Sequence, residues 1–293
     1  MKLIAINGKR RQDPARRRAT LDFIAGLWEA LGRPAIAMQN RYALALGPEN
    51  LPPAIVGLGA AAPELAVSIG GDGTFLRTAR WIGSMPTPIL GLNSGNLGFL
   101  SNVGIEDAGR IIDDIAEGRL VVQERTLLRV TVGGVRVDDT SRILDFPYAL
   151  NEVAIVRDDN ASMITVDTLL DGDQLATYRG DGLIIATPTG STAYNLSVGG
   201  PILSPNAHCW ALSPVAPHSL TMRPVVIPDS SQLDIAVDAR VPRYRLSLDG
   251  RSVSLPLDAR LVVDRAPFTT RILFSADHTF ARNLRDKLLW GVR

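Results

Sequence analysis

The stretch from Leu65 to Ile82 constrains the fold more than any other part of the chain. A short apolar run, Leu65 to Ile69, ends in Gly70-Gly71-Asp72-Gly73-Thr74, and a helical pattern follows from Thr74 to Ile82. A buried strand that stops at paired glycines and opens a helix belongs to a sheet whose strands are joined through helices. The alternation recurs on both sides. Lys2 to Asn7 reads as a buried strand ending at Gly8, and Pro88 to Leu92 as another ending at Asn93. Between them, Arg16 to Leu31 carries Leu21, Ile24, Ala25, Leu27, Trp28 and Leu31 at helical spacing, then stops at Gly32 and Pro34. The expected architecture is an α/β N-terminal doubly wound domain with mainly parallel strands. In such sheets ligands gather beyond the carboxyl ends of the strands.

After a helical Ile105 to Glu117 the texture changes. Leu127–Val132, Leu150–Val156, Met163–Leu170, Leu183–Thr187, Val225–Ile227, Leu233–Val237, Tyr244–Leu248 and Leu261–Val263 are strand-like, with turns at Gly133-Gly134, Asp171-Gly172, Asp181-Gly182 and Asp249-Gly250. Asp171-Gly172 lies between two alternating runs and is the best hairpin candidate. The pattern predicts an α/β domain over residues 1–120, a mostly β C-terminal domain over 121–270, and a segment over 271–293 that returns to the N-terminal domain. That segment ends in a C-terminal helix from about His278 to Trp290, with Asp277 as its N-cap.

Composition narrows the function classes. Apolar residues make up 46% of 293, enough for a packed core. Thirty-one basic against thirty acidic residues leave +1, so no global field draws nucleic acid or an acidic membrane. No apolar run approaches the roughly 18 residues of a membrane span. The N-terminal stretch has no signal-peptide pattern, and the single cysteine, Cys209, fits a reducing compartment. A soluble cytoplasmic protein is expected, with no nucleic acid and no membrane as partner. His208, His218 and His278 share no metal-ligand spacing, so no protein-held metal centre is expected.

Three polar segments carry chemistry. In the Gly70 to Thr74 loop, glycines let backbone N–H groups approach an anion and the helix N-terminus adds partial positive charge. Asp72 repels phosphate there, which makes sense if it accepts a proton or holds a bridging cation; the alternative is a turn with Asp as a cap. Asn93-Ser94-Gly95-Asn96-Leu97-Gly98-Phe99-Leu100 ends the next strand, on the same sheet edge. Thr187 to Ser197 holds five Ser or Thr hydroxyls around Gly190, with Tyr194 placed to stack on a base. Gly57-Leu58-Gly59-Ala60-Ala61-Ala62 matches a dinucleotide fingerprint, but flanking prolines leave no room for its strand and helix. The basic cluster Lys9, Arg10, Arg11, Arg16, Arg17 and Arg18 reads as a solvated loop and helix start, with a phosphate contact as the alternative.

Taken in order, Gly70-Gly71-Asp72-Gly73-Thr74, Asn93 to Leu100, Asn151-Glu152, Asp181-Gly182 running into Thr187 to Tyr194, and Ser197 to Pro201 resemble the NAD kinase family over almost the whole chain. The resemblance implies ATP-dependent phosphorylation of the 2′-hydroxyl of the adenosine ribose of NAD, giving NADP, with Mg²⁺ or another divalent cation accompanying ATP. It implies that Asp72 is the catalytic proton acceptor. Asp72, Gly73, Asn151, Glu152, Ser162, Arg179, Asp181, Thr192, Ala193, Tyr194, Asn195, Leu196, Ser197 and Arg251 would contact NAD. Gly70, Gly71, Thr74, Arg77 and Asn93 would serve the ATP phosphates. Residues 121–270 would then be the NAD-binding domain, and the two sets of contacts would serve one site. A homo-oligomer, dimer or tetramer, is also implied. Arg251 departs from the family pattern, where Gln is common; it would meet a phosphate or face solvent. Arg179 implies a preference for NAD over NADH, unless it merely pairs with Asp181. Competing readings are a lipid or sugar kinase sharing the Gly-Gly-Asp-Gly-Thr loop, and a non-catalytic NAD(P)-sensing protein.

Overall fold

The computed structural model describes every residue except 54, 94, 96, 97, 102, 135–142, 144, 159–161 and 290–293. The chain divides into two compact units, one of Met1–Glu124 with Thr270–Arg293 and one of Arg125–Thr269. No helix among the described residues is long and apolar enough to cross a membrane.

The first unit contains β1 (Leu3–Gly8), α1 (Pro14–Ala30), β2 (Ala35–Met38), α2 (Asn40–Leu46), β3 (Ile55–Val56), β4 (Leu65–Ile69), α3 (Asp72–Ile82), β5 (Ile89–Asn93), β6 (Val103–Gly104) and α4 (Ala108–Ala116). Strands β5-β4-β1-β2-β3 lie side by side and pair in parallel. β4 and β5 are buried along their whole length, as continuous apolar strands covered on both faces must be. The order runs from β1 outward through β2 to β3, then restarts on the other side with β4 and β5. The doubly wound reading therefore holds, and the reversal between β1 and β4 is the crevice where such sheets bind ligands. Helix α1 starts where Asp13 accepts from the Arg16 N–H at 3.0 Å and Pro14 needs no donor. β2 and α2 have no counterpart in the sequence reading, because four residues after Pro34 are too few to show a period. No helix follows Gly57-Leu58-Gly59 before β4, in keeping with the rejected fingerprint.

The second unit is antiparallel. It takes in most of β7 (Val121–Gly133), then β8 (Tyr148–Ala149), β9 (Glu152–Arg157), β10 (Ile164–Leu170), β11 (Asp173–Gly180), β12 (Gly182–Ala186), the short helix α5 (Tyr194–Ser197), β13 (Cys209–Val215), β14 (Val225–Pro228), β15 (Leu233–Asp238), β16 (Arg243–Leu248), β17 (Arg251–Pro256) and most of β18 (Arg260–Phe274). One sheet runs β14-β13-β12-β9-β16-β17; β11, β10, β15 and β18 pair in that order in another. Trp210, Tyr244, Ile155, Val166, Leu183 and Val263 are among the buried side chains of its core. Asp171 (φ 51°) and Gly172 (φ 92°) join β10 to β11 as the predicted two-residue hairpin. Asp249 (φ 48°) and Gly250 (φ 77°) join β16 to β17 in the same way.

Helix α6 (Phe280–Leu288) closes the first unit. Its cap is Thr279, which accepts from the Arg282 N–H at 3.2 Å, not Asp277. Asp277 pairs instead with the Arg282 side chain at 3.1 Å, so the helix begins two residues later than His278. The expected end at Trp290 lies outside the described residues.

Candidate active site

In the first unit the site is built on the turn from β4 into α3. Gly70 sits at φ 152°, and a Cβ there would overlap the Thr74 side chain, so glycine is required. Gly71 caps α3 with no side-chain bond, and the amides of Asp72 and Gly73 begin its first turn. The Asp72 carboxylate reaches back to the segment after β5. Oδ2 accepts from the Phe99 N–H at 2.8 Å, and Oδ1 accepts from Leu100 and Ser101, both at 3.0 Å. Gly98 permits this approach, because a Cβ on it would fall on the carboxylate. Lys287 of α6 lies within electrostatic reach of Asp72; burial holds its amine below the ordinary lysine range, while Asp72 and Asp286 oppose that shift.

The other donor-side candidates divide. Arg77 donates to Thr74 Oγ1 at 2.9 Å and stays exposed. Asn93 is buried, gives Nδ2 to the Ser101 carbonyl and accepts from the Gly95 N–H at 2.6 Å. Its side chain therefore shapes the loop that carries it. Ser94, Asn96 and Leu97 lie outside the described residues.

In the second unit, Asn151-Glu152 and the start of the Thr187 to Ser197 segment come together. Thr187 Oγ1 donates to the Leu150 carbonyl at 2.5 Å, and its N–H donates to the Asn151 carbonyl at 2.9 Å. Gly190 lies so close to the Asn151 backbone that no Cβ would fit. Asn151 Oδ1 and Glu152 Oε2 are buried acceptors with no hydrogen-bond partner. Glu152 has its carboxyl pushed up to about 7, by burial first and the Asp249 charge second, with the Tyr194 backbone amide opposing.

Asp249 was legible only as a turn residue. Its Oδ2 accepts from the Leu150 N–H at 2.8 Å, and its Oδ1 accepts from Asn151 at 2.8 Å and Glu152 at 3.2 Å. Burial raises its carboxyl too, while those three amides and Arg251 pull it down. With the amides favouring the charge on Asp249, the proton shared by this pair belongs on Glu152.

The remaining NAD candidates fall in different places. Tyr194 is 42% exposed, and its backbone amide bears on the Glu152 carboxyl. Ala193 and Leu196 are half-buried, and Ser197 and Ser162 are exposed. Thr192 Oγ1 reaches the Thr189 carbonyl at 3.5 Å. The Asn195 side chain points inward: Nδ2 donates to the Ser191 and Pro201 carbonyls, and Oδ1 accepts from Ser213 Oγ at 2.7 Å. Its polar atoms are spent on holding the loop. Asp181 pairs with Arg157 at 2.8 Å and not with Arg179, which is exposed. Arg251 donates to the Phe146 and Tyr148 carbonyls at 2.8 and 2.7 Å and lies over the Phe146 ring. Cys209 is half-buried, and burial pushes its thiol up, away from nucleophilic use. Among the described residues no three His, Cys, Asp or Glu side chains gather to hold a metal.

Comparison with known proteins gives this geometry a context. The ATP-NAD kinase N-terminal domain matches residues 57–120 and the ATP-NAD kinase C-terminal domain matches residues 150–273. An NAD kinase of Porphyromonas gingivalis is 41% identical over 99% of both chains. One of Bacteroides fragilis is 43% identical over 78% of this chain and 77% of its own. The crystal structure of yeast NADH kinase complexed with NADH superposes with a TM-score of 0.86 at 26% identity, covering 100% of this chain and 89% of that one. An NAD kinase from Archaeoglobus fulgidus in complex with ATP shares the fold at a TM-score of 0.70 and 24% identity, covering 99% of each.

Proposed function

Because this chain belongs to the ATP-NAD kinase family, we propose that it transfers the terminal phosphoryl group of ATP to the 2′-hydroxyl of the adenosine ribose of NAD, giving NADP and ADP. The observation that carries this reading is the pair of orphan acceptors Asn151 Oδ1 and Glu152 Oε2. A buried acceptor without a donor costs roughly 1–3 kcal/mol. A ribose diol brings two O–H donors side by side, which is what these two oxygens lack. Tyr194, exposed beside them, offers its ring to the adenine.

In the transfer the ribose 2′-oxygen forms a bond to the γ-phosphorus, the β–γ bridging P–O bond breaks, and ADP leaves with that oxygen. The hydroxyl proton passes to Asp72. A carboxylate has about four lone-pair sites. Backbone amides use two on Oδ1 and one on Oδ2, so the proton goes to the remaining site on Oδ2. The same three bonds hold the carboxylate in one orientation. Gly70, Gly71 and Thr74 shape the loop whose first-turn amides face the donor phosphates, and Arg77 adds a cation beside them.

A divalent cation such as Mg²⁺ fits this loop as part of the donor. Such ions are held chiefly by substrate phosphates and water, not by a protein cage, so the loop amides that orient the donor phosphates would also place the ion. When bound it would neutralise charge on the phosphates. Cys209, a packed thiol, suits a reducing cytoplasm, and a homo-oligomer completes the reading.

A coupled assay for NADP with ATP and NAD tests the proposal. NADP formation is expected. Turnover of diacylglycerol in place of NAD would favour a lipid kinase, and NAD binding with no NADP from any donor would favour a sensing module; either would overturn it.

A further inference from the structure

Asn151 and Glu152 stand where the chain changes sheets. β8 pairs with β7 in one sheet, and β9 pairs with β12 and β16 in the other. Between them, Leu150 and Asn151 form a bend that belongs to neither strand. A bend outside a ladder drifts unless other groups hold its backbone. Pro147, just upstream, has no N–H to offer.

One tight turn, remote in sequence, takes hold of both sides of this bend. Asp249-Gly250 joins β16 to β17, and Arg251 opens β17. On the β9 side, the Asp249 carboxylate accepts from Leu150, Asn151 and Glu152, and the Asp249 N–H donates to the Glu152 carbonyl at 3.2 Å. On the β8 side, Arg251 Nη1 donates to the Phe146 carbonyl at 2.8 Å and Nη2 to the Tyr148 carbonyl at 2.7 Å. The anion thus holds backbone donors and the cation holds backbone acceptors, each in a charge-assisted bond. Arg251 is fixed in turn. Its guanidinium lies 5.6 Å from the centre of the Phe146 ring, Phe146 packs edge-on against Tyr148 at 5.1 Å, and Tyr148 meets Phe268 of β18 at 4.8 Å. A planar fork with donors on two nitrogens bridges two carbonyls, whereas a lysine ammonium offers its donors from one point. The same cation pulls the Asp249 carboxyl down against burial, which keeps it an acceptor for the three amides.

We propose that Arg251 is a positioning residue for the dinucleotide: with Asp249 it clamps residues 146–152, so that Asn151 Oδ1 and Glu152 Oε2 meet a ribose diol at one fixed spacing. This rests on the reading of those two oxygens as the acceptors of the diol. These Arg251 contacts run to backbone oxygens, so the guanidinium acts on the ligand through the bend. Acceptors held in place before the ligand arrives lose little freedom when it binds.

Arg251→Lys keeps the charge and removes the fork. In the full chain, hydrogen exchange at the Asn151 and Glu152 amides should quicken about tenfold, while the amides of β10 and β15 keep their wild-type protection. The calorimetric Kd for NAD should rise about tenfold, within the roughly 10²-fold that a 1 Å misplacement costs. KM for NAD should follow Kd, with kcat at saturating NAD within about threefold and KM for ATP within about twofold. Coupling gives a second readout. Arg251→Lys combined with Asp249→Asn should weaken NAD binding by less than the product of the single effects, because both open one clamp. If Arg251→Lys melts early, Phe146→Leu removes the ring under the guanidinium, leaves both carbonyls, and should shift exchange and Kd the same way by about twofold. Unchanged exchange at Asn151 and Glu152, an unchanged Kd for NAD, or fully multiplicative effects in the double variant would each overturn the proposal. Quickened exchange in a protein whose wild type binds no NAD keeps the clamp and removes the ribose reading instead.

Discussion

In the first unit the Asp72 carboxylate accepts three backbone N–H bonds, from Phe99, Leu100 and Ser101; in the second, the Asp249 carboxylate accepts three, from Leu150, Asn151 and Glu152. The local device is identical, and the surroundings divide its use. Asp72 opens a helix and has the Lys287 ammonium within electrostatic reach. Asp249 is enclosed beside a second carboxyl, so its charge raises the proton affinity of Glu152. On the proposed mechanism, a carboxylate bound by three amides serves as the proton acceptor where a cation stands nearby. It becomes a positioning group when its neighbour is another acid.

The sharpest way to break this contrast is Asp72→Asn. The substitution should lower kcat by roughly 10²–10⁴-fold, the usual contribution of a positioned general base, with the Kd for NAD changed less than about threefold. Retention of more than a tenth of wild-type kcat would reduce Asp72 to a clasp, equivalent to Asp249.

The next effect concerns Glu152. Its folded-state carboxyl titrates near 7, above the ordinary 4.5, so the folded protein holds a proton that the unfolded chain releases between those values. Stability should therefore fall as pH rises from about 4.5 to about 7 and level off above 8. At 1.36 kcal/mol per pKa unit the loss is on the order of 2–4 kcal/mol. Urea unfolding at pH 5, 6, 7 and 8 measures it. Glu152→Gln should flatten this part of the profile, and an unchanged slope in that variant would place the titration elsewhere.

Asp249→Asn asks whether the second clasp only positions. The amide turns a donor toward backbone donors, so it should cost about 1–3 kcal/mol of stability. KM for NAD should rise several-fold while kcat at saturation stays within about threefold. A fall in kcat comparable to that of Asp72→Asn would erase the distinction between the two sites.

The smallest effect falls on Arg179, exposed and unpaired with Asp181, which is held by Arg157. A fixed guanidinium there is expected to favour NAD over NADH by a few-fold, and Arg179→Gly to narrow that gap. Measured kcat/KM values for the two dinucleotides decide it; an unchanged ratio in the variant places the discrimination on other residues.

Sequence by itself determined what depends on neighbours along the chain. Apolar runs ending in glycine or asparagine became β1, β4 and β5, the helical spacing became α1 and α3, and Asp171-Gly172 became a hairpin because both residues adopt positive φ. The Gly70 to Thr74 loop was visible for the same reason, as a contiguous motif at a strand end, whereas the Asn151-Glu152 pair came only with the family resemblance. Tertiary structure decided everything carried by bonds between distant segments. Asp249 reaches amides 97 to 99 residues away, and Asp72 reaches 27 to 29 residues ahead. The inward turn of Asn195, the carbonyl partners of Arg251 and the choice of Arg157 for Asp181 have the same origin. A local pattern records which face a residue presents, through the periods of helix and strand. It does not record which donor or charge will stand opposite once the chain has packed, and that choice sets a carboxyl's proton affinity.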